Sequence, residues 1–308
     1  MLQKLVKERD IRLWFAGLIV IAANAGGAFS PIGDVTTTML WIADKVSTTH
    51  LFGYLLLPSL ACMLVPTYLA SRLSVFKGNL EVDDTGQEHL GRFSGTMLYL
   101  GLSAIVFVPI FKMVTHLPPY VGMMLSLGVV AIFAEIYTSS KFSLEGLCKD
   151  GNSSPVHYSL SKIELPSILF FLGILMAVAA LESLGILFGF ADWLKVATPH
   201  IGTEVAGTAV SDLVVLLLGV GSAVIDNVPL VAASLGMFSE SADDILWHFI
   251  AYSAGTGGSM LIIGSAAGVV AMGMEKINFF WYLKKITWLA FTGFICGALV
   301  FFFTRTLF

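Results

Sequence analysis

Residues 24–41 read NAGGAFSPIGDVTTTMLW and lie inside one of the most apolar regions of the chain. The stretch carries Gly26, Gly27, Pro31, Gly33, a carboxylate at Asp34 and three consecutive threonines, Thr36, Thr37 and Thr38. A continuous membrane helix tolerates these poorly at its centre, because proline removes a backbone donor, glycine weakens the helix and a carboxylate is costly away from water. Non-helical backbone at membrane depth survives only where protein or a water-filled cavity satisfies its polar groups. The stretch therefore predicts a membrane helix broken on purpose. Asp34 stands at the head of the second half-helix, where it can also serve as a cap.

The surroundings support a membrane setting. Of 308 residues, 56% are hydrophobic and 12% charged, and the mean hydropathy is +0.86. A soluble domain carries about 25% charged residues. Runs such as 51–70 and 279–303 reach the roughly 20 residues that cross a bilayer. Apolar crossings are expected at 12–45, 50–70, 93–112, 120–139, 165–190, 244–275 and 279–304. Segment 204–238 is also apolar but is interrupted by GVGSAVIDNVP at 219–229. Its second arm, 228–238, is eleven residues long, too short for a core of ~30 Å, so 204–238 reads as a re-entrant hairpin. With that topology thirteen of the seventeen basic residues fall on one side and four on the other. The side with the excess is cytoplasmic by the positive-inside rule, and so is the amino terminus. The amino-terminal segment MLQKLVKERDIR is basic and amphipathic and lacks a cleavage signal.

The opening stretch has an echo. AGGAFSPIGD (25–34) aligns without gaps to TGGSMLIIGS (256–265), placing Gly26, Gly27 and Gly33 on Gly257, Gly258 and Gly264 at an offset of 231 residues. These six glycines are the expected backbone breaks, where glycine permits positive φ and close approach. Paired breaks in corresponding halves point to a transporter binding site. The two copies run in opposite directions, so the expected fold is an all-α polytopic membrane protein with an inverted repeat, two broken helices and one re-entrant hairpin. The hairpin tip, Asp226 and Asn227, has its counterpart before Met1 at the same offset, and the first repeat reads as truncated. The expected organisation is 1–48 for the end of the first repeat, 49–92 for a transmembrane helix and cytoplasmic loop, and 93–308 for the second repeat. The last part would hold scaffold helices, the hairpin 204–238, the broken helix 244–275 and a final helix 279–304.

Ionisable groups within the crossings are Asp34, Glu135, Glu182, Asp212, Asp226 and His248. An acid at membrane depth is a functional candidate when it faces the bundle interior. Carbonyls, the Asn227 amide and the Thr36 and Thr37 hydroxyls, with Asp34 and Asp226, make a hard oxygen site suited to Na⁺, with Asp34, Asp226 and Asn227 as metal ligands. Burial favours the protonated carboxylate and a cation opposes it, so Na⁺ and H⁺ would compete for the same oxygens. Glu182 is a candidate site or relay group. Glu135 and Asp212 are weaker candidates, and His248 reads as interfacial rather than as a pH sensor. Trp41, Trp193, Trp247 and Trp281 lie near the ends of crossings, as interfacial aromatics do. Cys62, Cys148 and Cys296 stand apart and form no C-x-x-C pair.

IAANAGGAFSPIGDVTTTMLW (21–41), VAALE (178–182), AVIDNVPLVAA (223–233) and SAGTGGSMLIIGSAAG (253–268) resemble the NhaD-type sodium/proton antiporters of the ion transporter superfamily. The resemblance implies an inverted-repeat fold with a transport domain beside a scaffold. It carries Asp34, Thr36, Glu182, Asp226, Asn227 and Ser253 over as cation or proton groups. The expected function is exchange of Na⁺, or Li⁺, for H⁺ by alternating access in a bacterial inner membrane, with no cofactor. A sodium-coupled dicarboxylate or oxyanion carrier and a non-functional fragment remain the alternatives. Na⁺, H⁺ and the bilayer are the expected partners, with a homodimer or a separately encoded amino-terminal half as protein partner and no nucleic acid. No Gly-x-Ser-Gly, His-Glu-x-x-His or P-loop occurs, and Pro31 stands where a membrane aspartyl protease has the first glycine of Gly-x-Gly-Asp. The sequence therefore does not point to an enzyme.

Overall fold

The computed structural model describes residues 6, 8–77, 94–115, 117–142 and 210–307, with scattered positions between 169 and 193. The chain divides into two compact units, Met1–Asp83 with Ile174–Phe308, and Asp84–Gly173. The first unit opens with α1 (Arg9–Ala28), α2 (Val35–Ile42) and α3 (Thr48–Ser71). The second contains α4 (Ser94–Thr115) and α5 (Pro119–Phe142). The first unit resumes with α6 (Asp212–Ile225), α7 (Asn227–Met237), α8 (Ile245–Gly257), α9 (Ala266–Glu275), α10 (Phe279–Lys285) and α11 (Thr287–Thr304). Among the described residues five helices, Arg9–Ala28, Thr48–Ser71, Gly95–Thr115, Pro119–Ile136 and Thr287–Thr304, are long and apolar enough to cross a membrane. The protein is an all-α polytopic membrane protein.

Within the first unit, α8 is the buried centre. Every residue from Leu246 to Gly257 is buried, as expected of a helix that is apolar all round. Phe249 stacks on Phe301 at 4.7 Å and Tyr252 on Phe294 at 6.0 Å between ring centres. Helix α3 packs closely on α11. A side chain at Gly293 would meet the Cys62 carbonyl and the Pro66 ring, and one at Gly297 would meet the Pro58 carbonyl and the Tyr252 ring. Small residues at such crossings let membrane helices approach. The opposite face of α3 exposes Phe52, Leu57, Leu64 and Tyr68, which suits contact with lipid. In the second unit, Pro119 opens α5 at a position where its missing N–H costs nothing, and the Ser126 hydroxyl donates to the Ala104 carbonyl at 3.1 Å.

Several expectations need correction. Helix α1 runs through Gly26 and Gly27 to Ala28, so the first interruption is 29–34 rather than the glycine pair. Gly185 is the only positive-φ glycine among the described residues, so no glycine at either break uses that freedom. Close approach is what they supply. A Cβ at Gly33 would lie 2.6 Å from the Gly27 carbonyl oxygen, and one at Gly264 would lie 2.5 Å from that of Ala223, whereas one at Gly26 meets nothing within 4 Å. Segment 279–304 is two helices, divided at Ile286. The Ile286 side chain crowds Gly17 and the Thr287 hydroxyl donates to the Met260 carbonyl at 2.6 Å, which redirects the chain there. Trp41 and Trp247 lie near the ends of α2 and α8, as expected, but both are buried. The Trp247 indole N–H donates to the Ser241 carbonyl at 3.0 Å, which holds the connection into α8. The crossing expected at 165–190 lies largely outside the described residues.

Candidate functional site

Asp34 and Ser265, which correspond at the repeat offset, occupy the same local position. Asp34 precedes α2 with φ −143° and ψ 157°. Ser265 precedes α9 with φ −156° and ψ 153°. Their side chains do different things. Ser265 caps α9 by accepting the Gly268 N–H at 3.3 Å and also accepts the Asn24 side-chain amide at 2.9 Å. The Asp34 carboxylate makes no capping bond to α2. Instead one of its oxygens accepts the Thr36 hydroxyl and the Asn227 amide at 2.9 Å. Those amide and carboxylate groups are 193 residues apart in sequence.

The Asn227 amide comes from the junction of α6 and α7. The chain turns there at Asp226 with φ 81° and ψ 147°, a region that L side chains rarely adopt and that concentrates at functional sites. The Asp226 carboxylate accepts the Asn227 backbone N–H at 2.8 Å. The start of α2 and the junction of α6 with α7 thus present two carboxylates and an amide. Asn227 is buried while Asp34 and Asp226 are half-buried. Among the described residues no three His, Cys, Asp or Glu side chains gather as a metal centre. The donor set is two carboxylates among amides, hydroxyls and carbonyls, which is hard-cation chemistry.

The other candidates are placed as follows. Thr37 donates to the Ser30 carbonyl at 2.8 Å and Thr38 to the Pro31 carbonyl at 2.9 Å, so these two hydroxyls stitch the interruption closed. Ser253 is buried, and its hydroxyl has no hydrogen-bond partner among the described residues. It faces Gly219 on α6, whereas Gly255, two residues on, approaches Thr36. The Ser222 hydroxyl, shared between the Gly219 and Ala254 carbonyls at 2.7 and 3.1 Å, ties α6 to α8. Glu182 lies outside the described residues. Asp212 pairs with Arg305 at 2.9 Å, Glu135 is exposed on α5, and His248, near the start of α8, is fully buried. Asn24 and Ser265 were not among the expected site residues. The signal for Asn24 was available, since an amide inside LIVIAANAGG is as conspicuous as an acid.

The profile of the citrate transporter family matches residues 1–249. The chain belongs to the citrate transporter family. Within that family it is similar to sodium/proton antiporter 1 of Arabidopsis thaliana, with 43% identity over 96% of this chain and 50% of the relative. It is 41% identical to sodium/proton antiporter 2 of the same plant, over 98% of this chain and 69% of the relative. With the Na⁺/H⁺ antiporter NhaD of Vibrio parahaemolyticus it shares 35% identity over 86% of this chain and 65% of the relative. The chain therefore spans between half and about two thirds of the length of these citrate transporter family members. No solved structure matches it.

Proposed function

We propose that the protein exchanges Na⁺, or Li⁺, for H⁺ across an energised membrane by alternating access. The observation that carries this reading is the convergence of Asp34, Asp226 and Asn227 at the ends of interrupted helices. A cation held there draws both carboxylates into their ionised form. Its departure leaves two like charges in a poorly hydrated place, and a proton relieves them. One set of oxygens then serves both ions in turn. Thr36, the buried Ser253 hydroxyl and Glu182 are the further candidates for ligand or relay, and Thr37 shapes the interruption. The shared geometry of Asp34 and Ser265 supports an inverted repeat, and the short arms α6 and α7 support a re-entrant hairpin. The basic-residue bias supports a cytoplasmic amino terminus. The antiporter names of the relatives agree with the exchange. Because those relatives come from a plant as well as from bacteria, the reading covers an ion-tight membrane in general, of which the bacterial inner membrane is one case.

The test is sodium-dependent dissipation of a pH gradient in everted vesicles carrying the intact gene product. An Asp226→Ala variant is expected to reduce exchange to the vector background at unchanged membrane abundance. Full exchange by that variant overturns the site assignment. The family's description favours a second reading, sodium-coupled uptake of a carboxylate anion. Two acidic side chains at the site oppose it, and sodium-dependent accumulation of labelled citrate in the same vesicles would establish it.

A further inference from the structure

A second titratable group of residues lies where the end of α2 meets the start of α8. The connection after α2 and the connection before α8 are joined there by the Asp243 N–H donating to the Lys45 carbonyl at 2.9 Å. The Lys45 ammonium returns a bond to the Glu240 carbonyl at 2.8 Å and sits 4.8 Å over the Trp247 ring. The Asp243 carboxylate is the hub. One oxygen accepts the Ser47 backbone N–H at 2.6 Å and lies 3.5 Å from His248 Nε2. The other lies 3.3 Å from His50 Nδ1.

We propose that His50, Asp243 and His248 form a proton-responsive junction that holds α2 to α8 while the imidazoles are neutral and loosens when they take up protons. One carboxylate faces two imidazoles, so it can balance one imidazolium and not two. His50 is 60% exposed, and a pair with it is weak because water screens it. His248 is 0% exposed, and neither of its nitrogens has a hydrogen-bond partner among the described residues. A charge placed on it meets no water, and breaking or stranding a buried charge is among the costliest local events. Among the described residues, Asp243 and His50 are the charged groups that act on His248. The Asp244 carboxylate accepts the Leu246 N–H, and one Glu240 carboxylate oxygen is buried without a partner among the described residues. Asp44 and Lys45 lie on the connection after α2, and from α3 the Tyr54 ring lies tilted at 5.0 Å from the His248 ring. Burial pushes the Asp243 carboxyl up, but the Ser47 N–H and His50 hold it on balance below its ordinary value of 3.8. Its stabilisation is present above that value and is lost only as pH falls through the lower folded-state one. Asp243 therefore stays ionised at every pH above that ordinary value, and a loosening there is not its own protonation.

The consequence reaches the cation site through the chain itself. The arm released at one end begins with Asp34 and Thr36, and the other arm carries Ser253 and Gly255. The junction does not depend on which ion is carried.

Hydrogen exchange of the purified full chain, followed by mass spectrometry and corrected for intrinsic rate, reads it directly. Peptides covering 43–50 and 238–248 are expected to lose protection together on acidification, by about tenfold per pH unit for one proton. His248→Gln is expected to abolish that loss. Asp243→Asn, which keeps an acceptor for Ser47, is expected to move it to lower pH by removing the anion that favours the imidazolium. Flat protection in the unaltered protein overturns the proposal. So does an unchanged transition in the folded His248→Gln protein, or an unmoved midpoint in Asp243→Asn. A sodium titration of the same samples reads peptides covering 226–237. Silence there counts against the exchange reading and leaves the junction result standing.

Discussion

At the scale of single residues, what distinguishes Asp34 is what its side chain is not doing. The residue before a helix ordinarily spends its oxygen on the first free N–H groups, and Ser265 does so at the corresponding position. Asp34 leaves that bond unmade and turns to Thr36 and Asn227 instead. A serine would have sufficed for capping alone, so the carboxylate is there for its charge. The glycines around the first interruption allow an equally sharp discrimination. Gly26 lies inside α1 with open space where a Cβ would go, whereas a Cβ at Gly33 would meet the Gly27 carbonyl oxygen at 2.6 Å and its Cα at 2.8 Å. Gly26→Ala is expected to be tolerated, with a gain of about 0.5–1 kcal/mol from helix propensity. Gly33→Ala has to displace backbone and is expected to cost about 1–3 kcal/mol. Thermal unfolding of the two variants in detergent checks the contrast, and equal midpoints would refute it.

At the scale of elements, the two broken helices are tied at their interruptions by one bond between side chains. Asn24 donates to Ser265, and Ser265 also starts α9, so a single hydroxyl sets both the start of one arm and the position of the other. Ser265→Ala removes the cap, worth about 0.5–2 kcal/mol, and strands a buried amide, worth about 1–3 kcal/mol. A loss in the unfolding free energy larger than either contribution alone is expected, with Ser265→Thr restoring most of it. Much of this architecture is legible in the chain: proline, glycine and aspartate inside an apolar run mark the interruption, and Asp226-Asn227 marks the break between α6 and α7. Those signals are local, because each residue violates the rule for the helix that surrounds it. The Asn24–Ser265 bond, the division at Ile286 and the burial of Trp247 have no such signature. Each depends on which distant segment arrives alongside, as the partners of Asn24 and Thr287 show, and no periodicity encodes that. The glycine pair illustrates the boundary. Its presence announces small-residue packing, but only the approach of Gly33 decides that Gly27 has a neighbour and Gly26 has none.

At the scale of the first unit as a whole, two ion pairs fasten opposite ends of the helix assembly. Arg12, at the start of α1, meets Glu275, at the end of α9, at 2.7 Å. Arg305, just past α11, meets Asp212 in the first turn of α6 through two contacts of 2.9 Å. The second pair shares its end with the start of α3, since the Thr304 hydroxyl reaches the Tyr54 carbonyl at 3.3 Å. Neither pair is fully in water. Side-chain exposures are 19% and 7% for the first and 10% and 15% for the second. Exposed pairs are worth about 0–1 kcal/mol, whereas breaking buried ones costs about 3–5 kcal/mol. These pairs lie between those limits, and each spans elements that no loop connects directly. Double-mutant cycles with Arg12→Gln and Glu275→Gln, and with Arg305→Gln and Asp212→Asn, are expected to return couplings of about 1–2 kcal/mol from thermal unfolding. Sites far apart and without shared partners add, so combining the two cycles should give the sum within about 0.5 kcal/mol. Couplings below about 0.3 kcal/mol would reduce both pairs to surface contacts. A marked departure from additivity would mean that the two ends of the assembly are mechanically linked through α8 and the crossed arms.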